Sequence, residues 1–300
     1  MSDPALPAPR HLPVMPQEVV HYLTPSSGQI VVDATVGIGG HARLLAERVA
    51  PSGRLIGLDR DPRMLDLARL RLHGLPVTLV HRSFDELPAV LKELGVDIVD
   101  GVLADLGVAS DQLDDPGRGL SFRTEGPLDM RLDPTSGEPA SALVNRLGER
   151  ELADIIWTYG EERFGRRIAR RIVQEREESP LATTTQLAEL VRRCVPRGKH
   201  QRIDPATRTF QALRIAVNDE MHALVRFLEA LPAILRPGGR AVVISFHSLE
   251  DRRVKQAFRN KEIYAQLTRK VVQPGESEVR NNPRARSAKL RAVRKNDPVD

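Results

Sequence analysis

Three acids and a glycine-rich turn carry the chemistry that can be read from this 300-residue chain. Asp33 closes a short apolar run, Val31-Val32, and is followed by Thr35-Val36-Gly37-Ile38-Gly39-Gly40-His41. Such a run reads as a strand entering a tight loop, and the spacing of Leu44, Leu45 and Val49 starts a helix behind it. That geometry brings backbone N–H groups against a nucleotide-like ligand. Glycine is needed there because a side chain would block close approach, or because φ is positive. A second apolar run, Leu55-Ile56-Gly57-Leu58, ends at Asp59, 22 residues after Gly37. An acid at that spacing reaches the two hydroxyls of a ribose. The loop reads Gly-x-Gly-Gly and not Gly-x-Gly-x-x-Gly, so a single adenosine-type cofactor fits better than a dinucleotide.

The elements that must hold these residues form an alternating series. A helix is expected over 64–72, with Asp61-Pro62 as its start. Val77-Thr78-Leu79-Val80 is a third strand, with Phe84 just beyond it, and 98–104 is a fourth, ending at Asp105. A Pro237-Gly238-Gly239 turn leads into a fifth, Ala241-Val242-Val243-Ile244-Ser245-Phe246, which ends at His247. Continuously apolar strands alternating with helices predict an α/β fold, a doubly wound and mostly parallel Rossmann-like sheet covered on both faces. Ligands of such sheets sit beyond the carboxyl ends of the strands, so Asp33, Asp59, Phe84, Asp105 and His247 face one crevice. Each has a plainer reading. Asp59 is equally placed to cap a helix, Phe84 to fill a core, and His247 to start a helix with Ser248 and Asp251 as a capping box.

The alternation stops after Asp105. Residues 110–137 are rich in Gly, Pro and Asp and read as irregular, whereas 141–195 have helical spacing throughout. Pro196-Arg197-Gly198-Lys199-His200 breaks that pattern, and a helix over about 209–231 resumes the α/β series. The expected division is a discontinuous catalytic domain, 1–112 and 206–300, with an all-helical substrate-recognition domain inserted at 113–205.

Composition narrows the classes. With 41% hydrophobic and 28% charged residues the chain can bury a core, and no apolar run approaches the roughly 20 residues a membrane helix needs. The proline-rich start, Pro4 to Pro13 around Arg10 and His11, has no apolar signal core and reads as a loose arm. A single cysteine, Cys194, excludes an internal disulfide and a multi-cysteine zinc site, so a reducing compartment and no metal are expected. No nucleophile elbow and no Gly-Lys-Ser/Thr phosphate loop is present, which weakens hydrolase and triphosphatase readings. Net charge is +5, unevenly spread. Residues 251–300 hold fourteen Lys/Arg against six Asp/Glu, and 161–215 hold thirteen against seven. Two basic zones on an otherwise acidic chain suggest a polyanionic partner touching particular faces.

These motifs resemble the MraW/RsmH family of S-adenosylmethionine-dependent ribosomal RNA methyltransferases. The resemblance lies in Asp33-x-Thr35-x-Gly37-x-Gly39-Gly40-His41 and Asp105-Leu106-Gly107-Val108-x-Ser110-x-Gln112-Leu113-Asp114. It continues in Pro127-Leu128-Asp129-Met130-Arg131, Tyr159-Gly160-Glu161-Glu162-Arg163-Phe164, Pro205-Ala206-Thr207-Arg208-Thr209-Phe210-Gln211-Ala212-Leu213-Arg214, 244–252, and Asn282-Pro283-Arg284-Ala285-Arg286-Ser287. It implies methyl transfer from S-adenosyl-L-methionine to the exocyclic N4 of a cytidine in the decoding region of 16S ribosomal RNA. It also implies cofactor contacts at Gly39, Gly40, His41, Asp59, Phe84, Asp105 and Gln112, beside Asp33 and Gly37 from the loop itself. Asp105 and His247 are the candidates for groups near the amine. Arg208, Arg214, Arg284, Arg286 and Lys289 are the candidate RNA contacts. The small ribosomal subunit or its precursor is the implied partner and the cytoplasm the implied location, with a homodimer left open.

Two departures stand out. Ala42 replaces a serine common after the histidine, and the segment between Phe258 and Pro274 is short. The rival readings are a methyltransferase acting on another RNA or DNA amine, a nicotinamide-dependent dehydrogenase, which the loop spacing disfavours, and an RNA-binding protein with a vestigial cofactor site.

Overall fold

The computed structural model describes residues 12–196 and 203–298, and its chain divides into two compact units, 1–107 with 221–300 and 108–220. The first unit opens with α1 (Pro16–Leu23), β1 (Ile30–Asp33), α2 (Gly40–Val49), β2 (Arg54–Asp59), α3 (Pro62–Arg71), β3 (Val77–His81), α4 (Leu87–Glu93) and β4 (Val99–Asp105). The second unit contains α5 (Ser110–Asp114), α6 (Ala140–Arg146), α7 (Glu149–Gly160), α8 (Gly165–Glu178), α9 (Thr184–Cys194) and α10 (Ala206–Val217). The chain then returns through α11 (Glu220–Ile234), β5 (Leu235–Ser245), α12 (Ser248–Ala257), β6 (Tyr264–Gln266), α13 (Glu276–Asn281) and β7 (Lys289–Lys295).

Among the described residues the strands form one seven-stranded sheet in the order β3-β2-β1-β4-β5-β7-β6. The first five pair in parallel, and β7 lies antiparallel to both β5 and β6. Val31, Leu55, Leu103, Val242 and Leu290 pack on one face with Leu45 and Val49 of α2 and Leu65 of α3. The alternate residues Val32, Ile56, Val102 and Val243 are also buried. Burial on both faces is why these strands read as unbroken apolar runs. The order reverses between β1 and β4, a switch point of the kind where doubly wound sheets bind ligands.

Several expectations change here. The stretch from Lys289, inside the C-terminal basic zone, is a sheet strand, since Leu290, Ala292 and Val293 are buried while Arg294 points out. Residues 1–11 of the expected arm lie outside the described residues. Beyond them Val14 and Met15 are buried and Pro13 packs against Gly40, so the chain is already part of the core there. The helix expected over 209–231 is two helices, because Asp219 takes a left-handed φ of 50° between α10 and α11. β5 includes the Pro237-Gly238-Gly239 turn, and its pairing with β4 shifts register across it.

The second unit begins at Val108 and ends at Glu220, wider than the 113–205 read from sequence. The reason is packing. Val108 and Leu113 at one end, and Ala206, Phe210 and Leu213 of α10 at the other, belong to the same core as Leu152, Ile156, Ile168, Ile172, Leu187 and Val191. The irregular stretch contains the short α5 and a one-turn helix, Pro116–Arg118, and buries Leu120, Leu128 and Met130 in that core. Buried Arg118 donates to the carbonyls of Arg131 and Leu132 at 3.0 and 2.7 Å, and Asn218 braces the same stretch through Met130 O and Leu132 N. Its backbone groups are therefore satisfied without regular structure.

Candidate active site at the strand ends

The glycine loop after β1 is stitched to the strands on either side. Ala34 N–H donates to Leu103 O of β4, and Val36 N–H to Leu58 O of β2, each at 2.8 Å. Thr35 Oγ1 accepts the Asp105 N–H at 2.7 Å, and Gly37 N–H donates to Asp59 Oδ2 at 2.8 Å. The loop thus spans the switch point, with Asp33, Asp59 and Asp105 around it. Gly37 and Gly39 have φ of 51° and 88°, which explains glycine at both. Gly39 is the N-cap of α2 and supplies no side-chain cap, so that helix starts with N–H groups aimed outward and no acid in its first turn. An uncapped helix start of this kind is suited to a polar ligand.

Asp33 is buried. Its Oδ1 accepts the Thr35 N–H, while Oδ2 is buried without a hydrogen-bond partner. Burial pushes its pKa up to about 7, against the lowering effect of His41. His41, on the first turn of α2, is also buried, and its Nε2 lies 3.5 Å from Asp105 Oδ2. Burial alone would lower the imidazole, but Asp105, with further charge from Asp33 and Glu278, leaves it raised. Both ring nitrogens of His41, and Asp105 Oδ1, are buried without a hydrogen-bond partner. Buried polar atoms of this kind cost about 1–3 kcal/mol each when unmatched, so their gathering around the glycine loop, from the ends of β1 and β4 and the first turn of α2, points to a polar ligand. The set is acidic and suits a cation.

Asp59, at the end of β2, accepts the N–H groups of Gly37 and Asp61, each at 2.8 Å. Burial pushes it up to about 6. It is not the cap of α3; that is Asp61, whose Oδ1 accepts the Arg63 N–H. Phe84 lies in a one-turn helix, Phe84–Glu86, with its ring edge-on to Phe227 of α11, centroids 5.4 Å apart. Half-buried, it keeps surface for a flat ligand. Beside it Asp85 pairs with Arg226 at 2.8 Å, and the Ser83 side chain together with that arginine holds its carboxyl below the usual range despite partial burial.

His247 caps α12. Its Nδ1 faces the Glu250 N–H at 3.5 Å, and its Nε2 lies 2.8 Å from Glu250 Oε1. The capping pair is therefore His247 with Glu250, one residue earlier than Ser248 with Asp251, and both ring nitrogens face their own turn. Of the two catalytic candidates, Asp105 keeps one oxygen, Oδ1, without a hydrogen-bond partner, whereas His247 lies against Glu250. Gln112 belongs to the second unit, where its Oε1 accepts the Ala109 N–H at the start of α5. Sequence reasoning missed Glu278 of α13, which joins the acids around His41 and accepts the Met15 N–H at 2.6 Å. Only its nearness to the Asn282-Pro283-Arg284 motif marked it.

The candidate RNA contacts separate. Arg214 is a fork on Glu220, at 2.8 Å through both nitrogens, within the helical unit. Arg208 is exposed and donates to Glu161 O at 3.4 Å, with Glu162 3.8 Å away. Arg284 and Arg286 lie in a one-turn helix, Pro283–Ser287, where Arg286 is exposed. Lys289 lies 4.0 Å from Asp251, which Arg291 also holds at 2.7 Å. No helix of the described residues is long and apolar enough to cross a membrane.

The family model described as the MraW methylase family matches residues 8–296. Ribosomal RNA small subunit methyltransferase H of Sorangium cellulosum is 54% identical over 97% of this chain and 94% of its own. The protein of that name from Geobacter sulfurreducens is 52% identical over 95% of this chain and 98% of its own. Among solved structures, an rRNA methylase from Streptococcus thermophilus aligns with a TM-score of 0.45 and 11% identity, covering 94% of each chain.

Proposed function

Because the chain belongs to the MraW methylase family, we propose that it transfers a methyl group from S-adenosyl-L-methionine to the exocyclic N4 of a cytidine in the decoding region of 16S ribosomal RNA. The observation that carries this reading is the set of unmatched atoms at the strand ends, Asp33 Oδ2, Asp105 Oδ1 and the two nitrogens of His41. Relatives above half identity named as small-subunit ribosomal RNA methyltransferases support that RNA as the substrate, and the N4 amine of a decoding-region cytidine is what the motif resemblance implies. The work falls in the cytoplasm, where small subunits are assembled.

The cofactor supplies an electrophilic methyl on a sulfonium when bound. Asp33, Asp59 and Asp105 make the crevice favourable to positive charge, and Asp59 is placed for the ribose hydroxyls. Phe84 offers its ring to the adenine. Gly37, Gly39, Gly40 and His41 let the backbone approach closely.

The cytosine amine is a poor nucleophile because its lone pair is delocalised into the ring. The chain must therefore orient that lone pair and stabilise the charge that develops on nitrogen, a matter of proximity and electrostatics. Asp105 Oδ1 would accept a hydrogen bond from the amine and take its proton, while the N–C bond forms as the methyl–sulfur bond breaks and its electron pair returns to sulfur as a neutral thioether. His247 is a positioning residue that fixes the start of α12. A base inside structured RNA must be unstacked first, at a cost of about a few kcal/mol.

The test uses small ribosomal subunits lacking this modification, incubated with the full chain and labelled S-adenosyl-L-methionine, followed by nucleoside mass spectrometry. Label in N4-methylcytidine from one decoding-region fragment is the expected result. Label on another RNA position, or only on a DNA amine, would overturn the acceptor and leave the cofactor reading.

A further inference from the structure

α8 carries its charges in the reverse of the order a helix favours. Acids are stabilising at the N-terminal end and cations at the C-terminal end. α7 obeys this with Glu149 and Glu151 in its first turn, and α9 with Arg192 and Arg193 in its last. α8 begins Gly165-Arg166-Arg167 with no acid in its first turn, continues to Arg170 and Arg171, and ends with Glu175, Glu177 and Glu178 around Arg176. Its buried side is Gly165, Ile168, Ala169 and Ile172, so the four arginines share the outward side, and all four are exposed. Arg166 with Arg170, and Arg167 with Arg171, are like-charge pairs four apart, which repel.

The repulsion is only partly answered within the fold. Arg171 pairs with Glu175 at 2.8 Å and Arg170 with Glu149 at 3.4 Å. Among the described residues no carboxylate pairs with Arg166 or Arg167. Nor does one pair with Arg163, whose guanidinium lies 4.7 Å from the centroid of the Phe164 ring. Arg193 of α9 reaches the same Glu175 at 3.3 Å and extends the basic surface onto the next helix. An arrangement that opposes both the macrodipole and the pair rule is expected where function holds it in place. An anion from outside resolves it.

The side chains name the anion. Every cation on this face is an arginine, and no lysine occurs among the described residues of the helical unit. The guanidinium fork matches phosphate oxygens two at a time. Arg166 and Arg170 are about 6 Å apart along the axis, four residues at a rise of about 1.5 Å, a span suited to adjacent phosphates of one strand. We propose that the exposed arginine face of α8, Arg166, Arg167 and Arg170, together with Arg163 just ahead of the helix, binds the phosphate backbone of the RNA substrate. The identity of that RNA rests on the ribosomal reading above. The face is separate from Arg214, which Glu220 holds.

The test measures binding of the full chain to a fluorescein-labelled, protein-free transcript of the decoding-region hairpin, and to intact small subunits. Arg166→Glu with Arg167→Glu is expected to weaken transcript binding at least tenfold near 100 mM salt. The loss of two phosphate contacts lowers the salt slope by about 1.4, at roughly 0.7 per contact for a single strand. Arg166→Gln with Arg167→Gln is expected to give a smaller loss in the same direction, and Arg166→Lys with Arg167→Lys to retain most of the affinity. Cofactor affinity stays at the wild-type value, and Tm stays at or above it because repulsion has been removed. Arg146→Glu, an exposed arginine already paired with Glu138, serves as the control and is expected to bind normally.

Unchanged transcript affinity in the Glu and Gln variants, or an equal loss in the control, would overturn the proposal. So would a loss seen with subunits but not with transcript, which assigns the face to an acidic protein partner. Methylation of subunits by the wild-type chain is read separately. Its failure beside α8-dependent transcript binding counts against the function, and its success beside unchanged binding counts against the face alone.

Discussion

The two units handle charge in opposite ways. In the sheet unit the decisive charges are acids at strand ends, Asp33 buried and Asp105 half-buried, and both short of partners, since each leaves an oxygen unmatched. In the helical unit they are arginines, exposed along α8, while the acids there are spent on first-turn positions and ion pairs. Burial raises the Asp33 and Asp59 carboxyls, so the sheet unit stores an electrostatic cost that a cationic ligand relieves. Exposure keeps the arginines solvated and screened, so the helical unit gains from a polyanion mainly through released counterions. A small, tightly held cation and a long, salt-sensitive anion call for these two designs.

The sharpest way to break that division is Asp59→Ala. The carboxylate holds the N–H groups of both Gly37 and Asp61, so its loss removes a ligand contact and a brace of the glycine loop. Charge-assisted hydrogen bonds are worth about 1.5–3 kcal/mol, so S-adenosyl-L-methionine affinity is expected to fall at least tenfold by calorimetry. RNA affinity is expected to stay at the wild-type level. Wild-type cofactor affinity would remove Asp59 from the site, and a parallel fall in RNA affinity would show that the two designs are not separate.

A second test uses pH. With its folded pKa near 7 and an ordinary value of 3.8, Asp33 binds its proton more tightly in the folded chain than in the unfolded one. The stability this contributes is present below the ordinary value and is lost as pH rises through 7. The cationic cofactor favours the ionised carboxylate, so its affinity should move the opposite way, rising up to about tenfold between pH 6 and 8. Asp33→Asn should flatten both dependences, weaken cofactor binding at pH 8 and raise the Tm of the ligand-free chain there. An unchanged pH dependence in the variant would assign the trend to other groups.

The strand-end acids were legible in the sequence because each sits at a change of pattern, where an apolar run meets a turn. Asp33, Asp59 and Asp105 needed only strand periodicity and the rule for parallel sheets. What stayed hidden was set by partners far along the chain. The break at Asn218 and Asp219 carries neither glycine nor proline, and Asn218 is held by Met130 and Leu132, 88 and 86 residues away. β7 was hidden by its own charge, since Lys289, Arg291 and Arg294 drew attention from the buried Leu290, Ala292 and Val293 between them. The reversed polarity of α8 was visible in the residues but had no meaning until the helix ends were known.

The smallest expected effect comes from cations on the sheet unit. Arg284 and Arg286 lie on the one-turn helix before β7, and the nearby Lys289 faces an Asp251 already held by Arg291. A basic group so close to an internal acid adds little net attraction for phosphate, which leaves the two arginines as the contributors. Arg284→Glu with Arg286→Glu is therefore expected to weaken transcript binding about three- to fivefold, on the scale of about 1 kcal/mol for an exposed charge such as Arg286. Cofactor affinity should be unchanged, because neither residue is among the groups around Asp33, His41 and Asp59. Unchanged RNA affinity at moderate salt would remove the segment from the interface and leave anion binding to the helical unit alone. A loss equal to that of the α8 variants would spread the interface over both units, so that only the buried acids would still tell the two apart.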